Sequence, residues 1–266
     1  MDTIILKIGG SVFEKLSASF YKTVVDLKQS KVCHPIIVHG GGPEINQALK
    51  QANVETPFVD GLRVTTEEVL KIAEMVMSGS INKRMVAKIQ QAGGTAFGLS
   101  GVDGSLLQTE PVDHSGKLGF VGQVKKVNDA WLKLIMDQGG IPVISPIGVD
   151  ESATRYNING DMAAAGVASV MKGKLIFISD IPGVMETIQD KKVIHSKLSK
   201  TQIDSMISSG VIYGGMIPKV RSAVNALSGG VTESVIINGL SPNDLKDYMK
   251  GQVVGTKIMM GEVQHV

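Results

Sequence analysis

The sequence predicts an α/β fold in which a mostly parallel sheet is covered by helices on both faces. Three observations predict it. Short apolar runs alternate with helix-like stretches along most of the 266 residues. Such alternation is the pattern of parallel strands joined by crossover helices. Two of the runs end in glycine clusters that give way to helices, and ligands of such sheets lie beyond those strand ends.

The elements follow in order. Residues 4–8 form a first strand running into Gly9, Gly10 and Ser11, with a helix over Ala18–Gln29. Residues 35–38 form a second strand running into His39, Gly40, Gly41 and Gly42, with a helix starting near Pro43. Proline is tolerated in a first helical turn because its missing N–H has no partner there anyway. Thr65, Thr66, Glu67 and Glu68 read as a cap and acidic first turn for a helical segment reaching about Gln91, which Gly79 interrupts and bends. Residues 95–99 read as a strand. Residues 106–112 and 118–127 flank Asp113, His114, Ser115 and Gly116, a hairpin signal. Further strands fall at 141–144, 175–180 and 235–237, and a helix at 161–171.

Composition excludes several function classes. Apolar residues make up 43% of the chain, which also carries 31 glycines, a globular α/β composition. Net charge is +2 with Lys and Arg dispersed, so there is no footprint for nucleic acid. Pairs such as Lys125-Lys126 and Lys191-Lys192 read as solvated turns or edges. The single cysteine, Cys33, excludes an internal disulfide and reads as a buried or boundary residue. No apolar stretch reaches the roughly 20 residues that span a bilayer, and no signal-peptide pattern opens the chain. The expectation is a soluble, cytoplasmic protein. Walker-type, dinucleotide-binding, hydrolase-elbow and metal-ligand spacings are all missing from the sequence.

Glycine at the two strand ends lets backbone approach a ligand and adopt positive φ without steric cost. The helix N-termini that follow aim free N–H groups at the same points, making two adjacent anion sites. Lys7 sits where the first strand would deliver its ammonium. Three later segments sharpen this. Asn157, Ile158, Asn159, Gly160 and Asp161 lead into an alanine-rich helix, where Asp161 also reads simply as a cap that balances the dipole. Lys219 falls in a first helical turn after Gly214 and Gly215, against the dipole unless an anion compensates. Arg63, just before a helix, suits a bidentate grip on a carboxylate; taken alone it is equally a surface residue.

The ordered set of Lys-Ile-Gly-Gly, Val-His-Gly-Gly-Gly, Gly-Leu-Arg-Val-Thr, Gly-Phe-Val-Gly (119–122), Asn-Ile-Asn-Gly-Asp, Ser-Asp-Ile-Pro-Gly-Val (179–184) and Gly-Gly-Met-Ile-Pro-Lys closely resembles the amino-acid kinase family. The resemblance is to its branch acting on acylated glutamate and runs from the first strand to near the end. It implies a three-layer αβα sandwich around an open, mostly parallel eight-stranded sheet. It implies residues 1–173 as an N-terminal lobe for the acyl amino acid and for dimerisation, and residues 174–266 as a C-terminal lobe for ATP, with the lobes closing on the nucleotide. The implied reaction is phosphorylation of the γ-carboxylate of N-acetyl-L-glutamate by ATP with Mg²⁺, the ion held by ATP oxygens and water rather than by the protein.

By the same resemblance, Lys7 and Lys219 bind the transferring phosphoryl group from opposite sides, and Asp161 holds the two ammonium groups apart and aimed. Gly9 and Gly10 give N–H groups to the phosphates. Gly41 and Gly42 bind the reacting carboxylate, Arg63 the α-carboxylate and Asn157 the acetamido group. Asp180, Ile181, Pro182, Gly183, Val184 and Met185, with Val211, Ile212 and Tyr213, line the adenosine site. The segment 66–91 carries Val69, Ile72, Val76, Met77, Ile81 and Met85, most of which packing on its own sheet explains. In the family this helix also builds a two-fold homodimer. Met1, Asp2 and Thr3 lead straight into the first strand, so no arginine-sensing N-terminal helix and no strong arginine feedback are expected. Two other readings stay open: a related carboxylate kinase for another acylated amino acid or aminoadipate derivative, and a non-catalytic amino-acid sensor on the same fold.

Overall fold

The computed structural model describes residues 1–261; the last five residues of the expected C-terminal part, 262–266, lie outside the described residues. In chain order the principal elements are β1 (Asp2–Ile8), α1 (Gly10–Phe13), α2 (Ala18–Gln29), β2 (Cys33–His39), α3 (Gly42–Gln51), α4 (Glu67–Glu74), α5 (Asn82–Gln91) and β3 (Ala96–Ser100). There follow α6 (Ala130–Asp137), β4 (Ile141–Ser145), α7 (Gly160–Val170), β5 (Lys174–Ser179), β6 (Lys197–Ser199), α8 (Lys200–Ser208), α9 (Met216–Ser228), β7 (Glu233–Asn238), α10 (Asp244–Met249) and β8 (Thr256–Met259).

The eight strands form one sheet in the order β6-β8-β7-β5-β1-β2-β4-β3. Every pairing in it is parallel except that of β7 with β8. β1 lies between β2 and β5, which the chain reaches by crossovers to opposite sides. The strand order therefore reverses at β1, and a crevice opens at its carboxyl end.

Period-two alternation assigns each strand residue to a layer. Ile4, Leu6 and Ile8 pack with Phe20, Tyr21 and Val24 of α2 and with Met85 and Ile89 of α5. Ile5 packs on the other face with Ala163, Ala164 and Val167 of α7 and Val220 and Ala223 of α9. Lys7 shares the parity of Ile5. It therefore leaves the sheet on the α7/α9 face, the face that carries Asp161 and Lys219.

Three parts go beyond the sequence reading. The hairpin read at 106–127 exists, but as part of a closed four-stranded barrel of 107–111, 121–127, 147–149 and 155–158. Two of those strands are too short to announce themselves. The segment 67–91 is continuous, and Met75–Ile81 at Gly79 is π-helical rather than simply bent. A small exposed hairpin of 185–188 and 191–194 follows β5.

The apolar side chains singled out on the 66–91 segment are absorbed by the chain's own core. Val69, Ile72, Met77, Ile81 and Met85 are all buried. Val76 is half-buried and Met75 is exposed. Cys33 is buried as well, and burial pushes its thiol up to about 12, outside the range of a reactive thiolate. Lys125, Lys126, Lys191 and Lys192 are exposed on strands. Among the described residues no helix is long and apolar enough to cross a membrane.

Candidate active site

The carboxyl ends of β1, β2 and β5 meet the N-terminus of α7 at the crevice. Lys7 Nζ lies 2.7 Å from Asp161 Oδ1. The Asp161 backbone is fixed by Asn159, whose side-chain oxygen accepts from the N–H groups of Asp161 (2.8 Å) and Met162 (3.3 Å). Ser222 Oγ donates to the other Asp161 oxygen at 3.3 Å. Asp161 is thus both the acidic first turn of a capped helix and a partner of Lys7; the two readings of it were never exclusive.

Lys219 comes from the first turn of α9. Its Nζ donates to Ser179 Oγ at 2.8 Å and lies 3.8 Å from Asp180 Oδ1. Burial lowers its proton affinity; Lys7 adds repulsion, while Asp180 and Asp161 act against both. Ser222, on the same helix as Lys219, bonds Asp161, so the segments that carry the two ammonium groups are joined at that carboxylate. Asp180 also pairs with Lys15 Nζ at 3.2 Å, and that hydrogen bond is the main cause of its lowered pKa.

The two glycine loops touch. A Cβ on Gly10 would lie 3.0 Å from Gly41 Cα and 3.1 Å from its carbonyl carbon, contacts that only backbone movement relieves. A Cβ on Gly41 would come within 2.8 Å of both Ile81 and Met77. Positive φ plays no part: Gly9 has φ −71° and Gly41 φ −158°, and none of Gly9, Gly10, Gly40, Gly41 and Gly42 is left-handed. At Gly10 and Gly41 close approach, not torsional freedom, requires glycine. His39 beneath the second loop is fully buried, 3.2 Å from Asn82 Nδ2, and desolvation pulls its pKa down to about 4. It is a neutral anchor.

A cavity of about 350 Å³ opens beside this junction, lined among others by Gly41, Gly42, Arg63, Asn157 and Gly160. Arg63 is only 8% exposed, donates to Asn46 Oδ1, and lies over the Phe58 ring at 4.5 Å. Asn157 Nδ2 donates to Thr65 Oγ1 at 3.2 Å, and Thr65 donates in turn to the Arg63 carbonyl at 2.8 Å. Arg63 and Asn46 also line a neighbouring cavity of about 720 Å³.

A separate cleft of about 610 Å³ is lined by Asp180, Ile181, Gly183, Val184, Met185, Val211, Ile212, Tyr213 and Lys219. Of the residues read from the sequence as an adenosine site, Pro182 alone does not line it.

Sequence reasoning missed Lys15, Asn46, Ser179 and Ser222. Two had a signal. Asn46 is four residues past Gly42 and Ser222 three past Lys219, so each shares a helix face with a residue already singled out. Ser179 opens the motif at 179–184 but was given no role of its own, and Lys15 had no signal.

Comparison with known proteins places this arrangement. The amino acid kinase family profile matches residues 2–238. The chain is 58% identical over 266 residues to an acetylglutamate kinase of Oceanobacillus iheyensis, covering all of both chains. It is 45% identical over 257 residues to an acetylglutamate kinase of Geobacillus kaustophilus, covering 96% of each. Among solved structures, a Streptococcus mutans protein superposes with TM-score 0.82 at 26% identity, over 98% of this chain and 99% of that one. A Giardia lamblia carbamate kinase bound to AMP-PNP shares the fold, with TM-score 0.69 at 14% identity over 98% and 99%.

Proposed function

This chain belongs to the amino acid kinase family, and from that premise we propose that it transfers the γ-phosphoryl group of ATP to the γ-carboxylate of N-acetyl-L-glutamate. The products are ADP and N-acetyl-L-glutamyl 5-phosphate, the second step of arginine biosynthesis. The observation that supports the reading is the pairing of Lys7 with Asp161 beside the helix of Lys219, which Ser222 ties to the same carboxylate while Lys219 lines the larger cleft.

Both reactants are anions, so repulsion must be offset while they are brought in line. A carboxylate is already nucleophilic at neutral pH, and no general base is required. Phosphoryl transfer asks for positioning and charge stabilisation. In this reading Lys7 and Lys219 neutralise charge growing on the migrating group, and Asp161 orients them without taking a proton. Gly9 and Gly10 offer N–H groups to the phosphates, and Gly41 and Gly42 to the acceptor carboxylate. Arg63 grips the α-carboxylate and Asn157 the acetamido group. The 610 Å³ cleft takes the nucleoside. Mg²⁺ enters as part of the nucleotide substrate. Among the described residues no group of three or more His, Cys, Asp or Glu side chains is arranged to hold a metal, and the Asp180 carboxylate is engaged by Lys15.

Residues 1–173 then bind the acceptor and 174–266 the nucleotide, with the pairing of β1 and β5 joining the halves in one sheet. Closure of the halves on ATP brings the reactants into line. A homodimer is part of the proposal. Its support is the exposed edge strand β3, with Phe97 45% exposed, and Met75 at 57%; light scattering on purified protein tests it.

The activity is tested by coupled ADP release with N-acetyl-L-glutamate, other acylated amino acids, and no acceptor. ADP release that depends on N-acetyl-L-glutamate is expected. A rate independent of it, or highest with another acceptor, overturns the assignment.

A further inference from the structure

The phosphate-side and acceptor-side loops meet beyond the paired ends of β1 and β2, where Gly10 lies against Gly41 and Pro43. A second tie exists on α5. Arg84 Nη1 donates to Glu14, the C-cap residue of α1, at 2.6 Å. Its Nη2 donates to Glu44, in the first turn of α3, at 2.6 Å to Oε1. The guanidinium carbon lies 5.0 Å from the Phe13 ring centroid, so the fork is also held by the last residue of α1. The next residue, Met85, is fully buried, which anchors this stretch of α5 in the core.

We propose that Arg84 is a positioning residue: bridging Glu14 and Glu44, it fixes the separation and angle of the two anion-binding loops for in-line transfer. The inference rests on the loop roles given under the proposed function. A planar fork holds two carboxylates at a set angle, whereas a lysine ammonium is a point charge that does not. Ion pairs this exposed add little to folding stability. The clamp should therefore register in turnover rather than in melting temperature. A misplacement of about 1 Å costs up to roughly a hundredfold in rate.

The test compares Arg84→Ala, Arg84→Lys and the double variant Glu14→Gln/Glu44→Gln with the parent enzyme. It reads kcat, both KM values, calorimetric binding of each substrate alone, and Tm. The expected result for Arg84→Ala is a fall in kcat of about tenfold or more, with each substrate still bound separately and Tm nearly unchanged. Arg84→Lys should lie between, and the double carboxamide variant should match Arg84→Ala. A kcat within about twofold of the parent, or a loss that merely follows Tm, overturns the clamp. If Arg84→Ala does not fold, the double variant decides, since it keeps the packing over Phe13. Lys7→Ala run in parallel separates the two readings: full turnover there sinks the loop assignment. Lost turnover there with normal Arg84 variants sinks only the clamp.

Discussion

The cavity proposed for the acceptor and the cleft proposed for the nucleotide would both face anions, yet the chain builds them by different means. The acceptor side is small and fixed. Gly41 is hemmed in by Met77 and Ile81, Arg63 is buried over Phe58, and Asn157 is tied through Thr65 back to Arg63. Beneath it the neutral His39 meets Asn82, which also donates to the Val143 carbonyl at 3.0 Å. The cleft on the other side, at about 610 Å³ against 350 Å³, has a more exposed lining. Tyr213 is 76% exposed, and the adjoining hairpin strand 191–194 is exposed throughout. A small substrate offers few atoms, so discrimination needs a buried, pre-shaped set of polar groups whose loss leaves partners unpaired. A nucleotide offers a large surface and several charges, and can be held by many weaker contacts. What the two sides share is the cation pair at their junction.

That shared junction is where the contrast is easiest to break. Lys7→Ala and Lys219→Ala should each lower turnover by roughly 10²–10³ or more, as loss of a transition-state charge does, with smaller effects on either KM. Steady-state kinetics reads this, and near-normal turnover in either variant removes the junction from the mechanism. The second effect belongs to the acceptor side alone. Neutral His39 gives stability that is complete above its ordinary pKa of about 6.5 and is lost as pH falls toward about 4, because the unfolded chain binds the proton first. The difference amounts to about 3 kcal/mol. Denaturant unfolding at several pH values should show His39→Asn with a flatter slope in that window; an unchanged slope contradicts the anchor role.

Next in size, Arg63→Ala should raise the acceptor KM roughly ten- to a hundredfold, the value of a buried charge-assisted contact, and leave the ATP KM nearly unchanged. An unchanged acceptor KM refutes its role. Smallest is the nucleotide side. Tyr213→Ala should raise the ATP KM only a fewfold, about 1 kcal/mol or less for an exposed aromatic contact. A hundredfold change there would erase the distinction between a fixed pocket and a distributed one.

Lys7, Lys219 and the glycine clusters stood out in the sequence by their places at strand ends or against a helix dipole, whereas the roles of Asp161, Arg63 and Asn157 rest on the family resemblance; the structure sets Lys7 against Asp161 and puts Arg63 and Asn157 on one cavity. The segments that line the 610 Å³ cleft were legible, Pro182 apart. The barrel was not legible, because its strands at 147–149 and 155–158 are too short to show a period. Nor was the reason for two of the glycines: Gly10 lies against the Gly41 backbone and Gly41 against Met77 and Ile81, and neither has a positive φ.

By itself the sequence determined the alternation of buried strands and helices, and the face from which Lys7 leaves β1, because a period of two is a local property of the chain. Only the tertiary structure decided that Lys15 meets Asp180, that Ser179 meets Lys219, and that Gly10 lies against Gly41. Each of these pairs joins segments far apart in the chain, and such distances are set by how helices pack across a sheet, which no local pattern encodes.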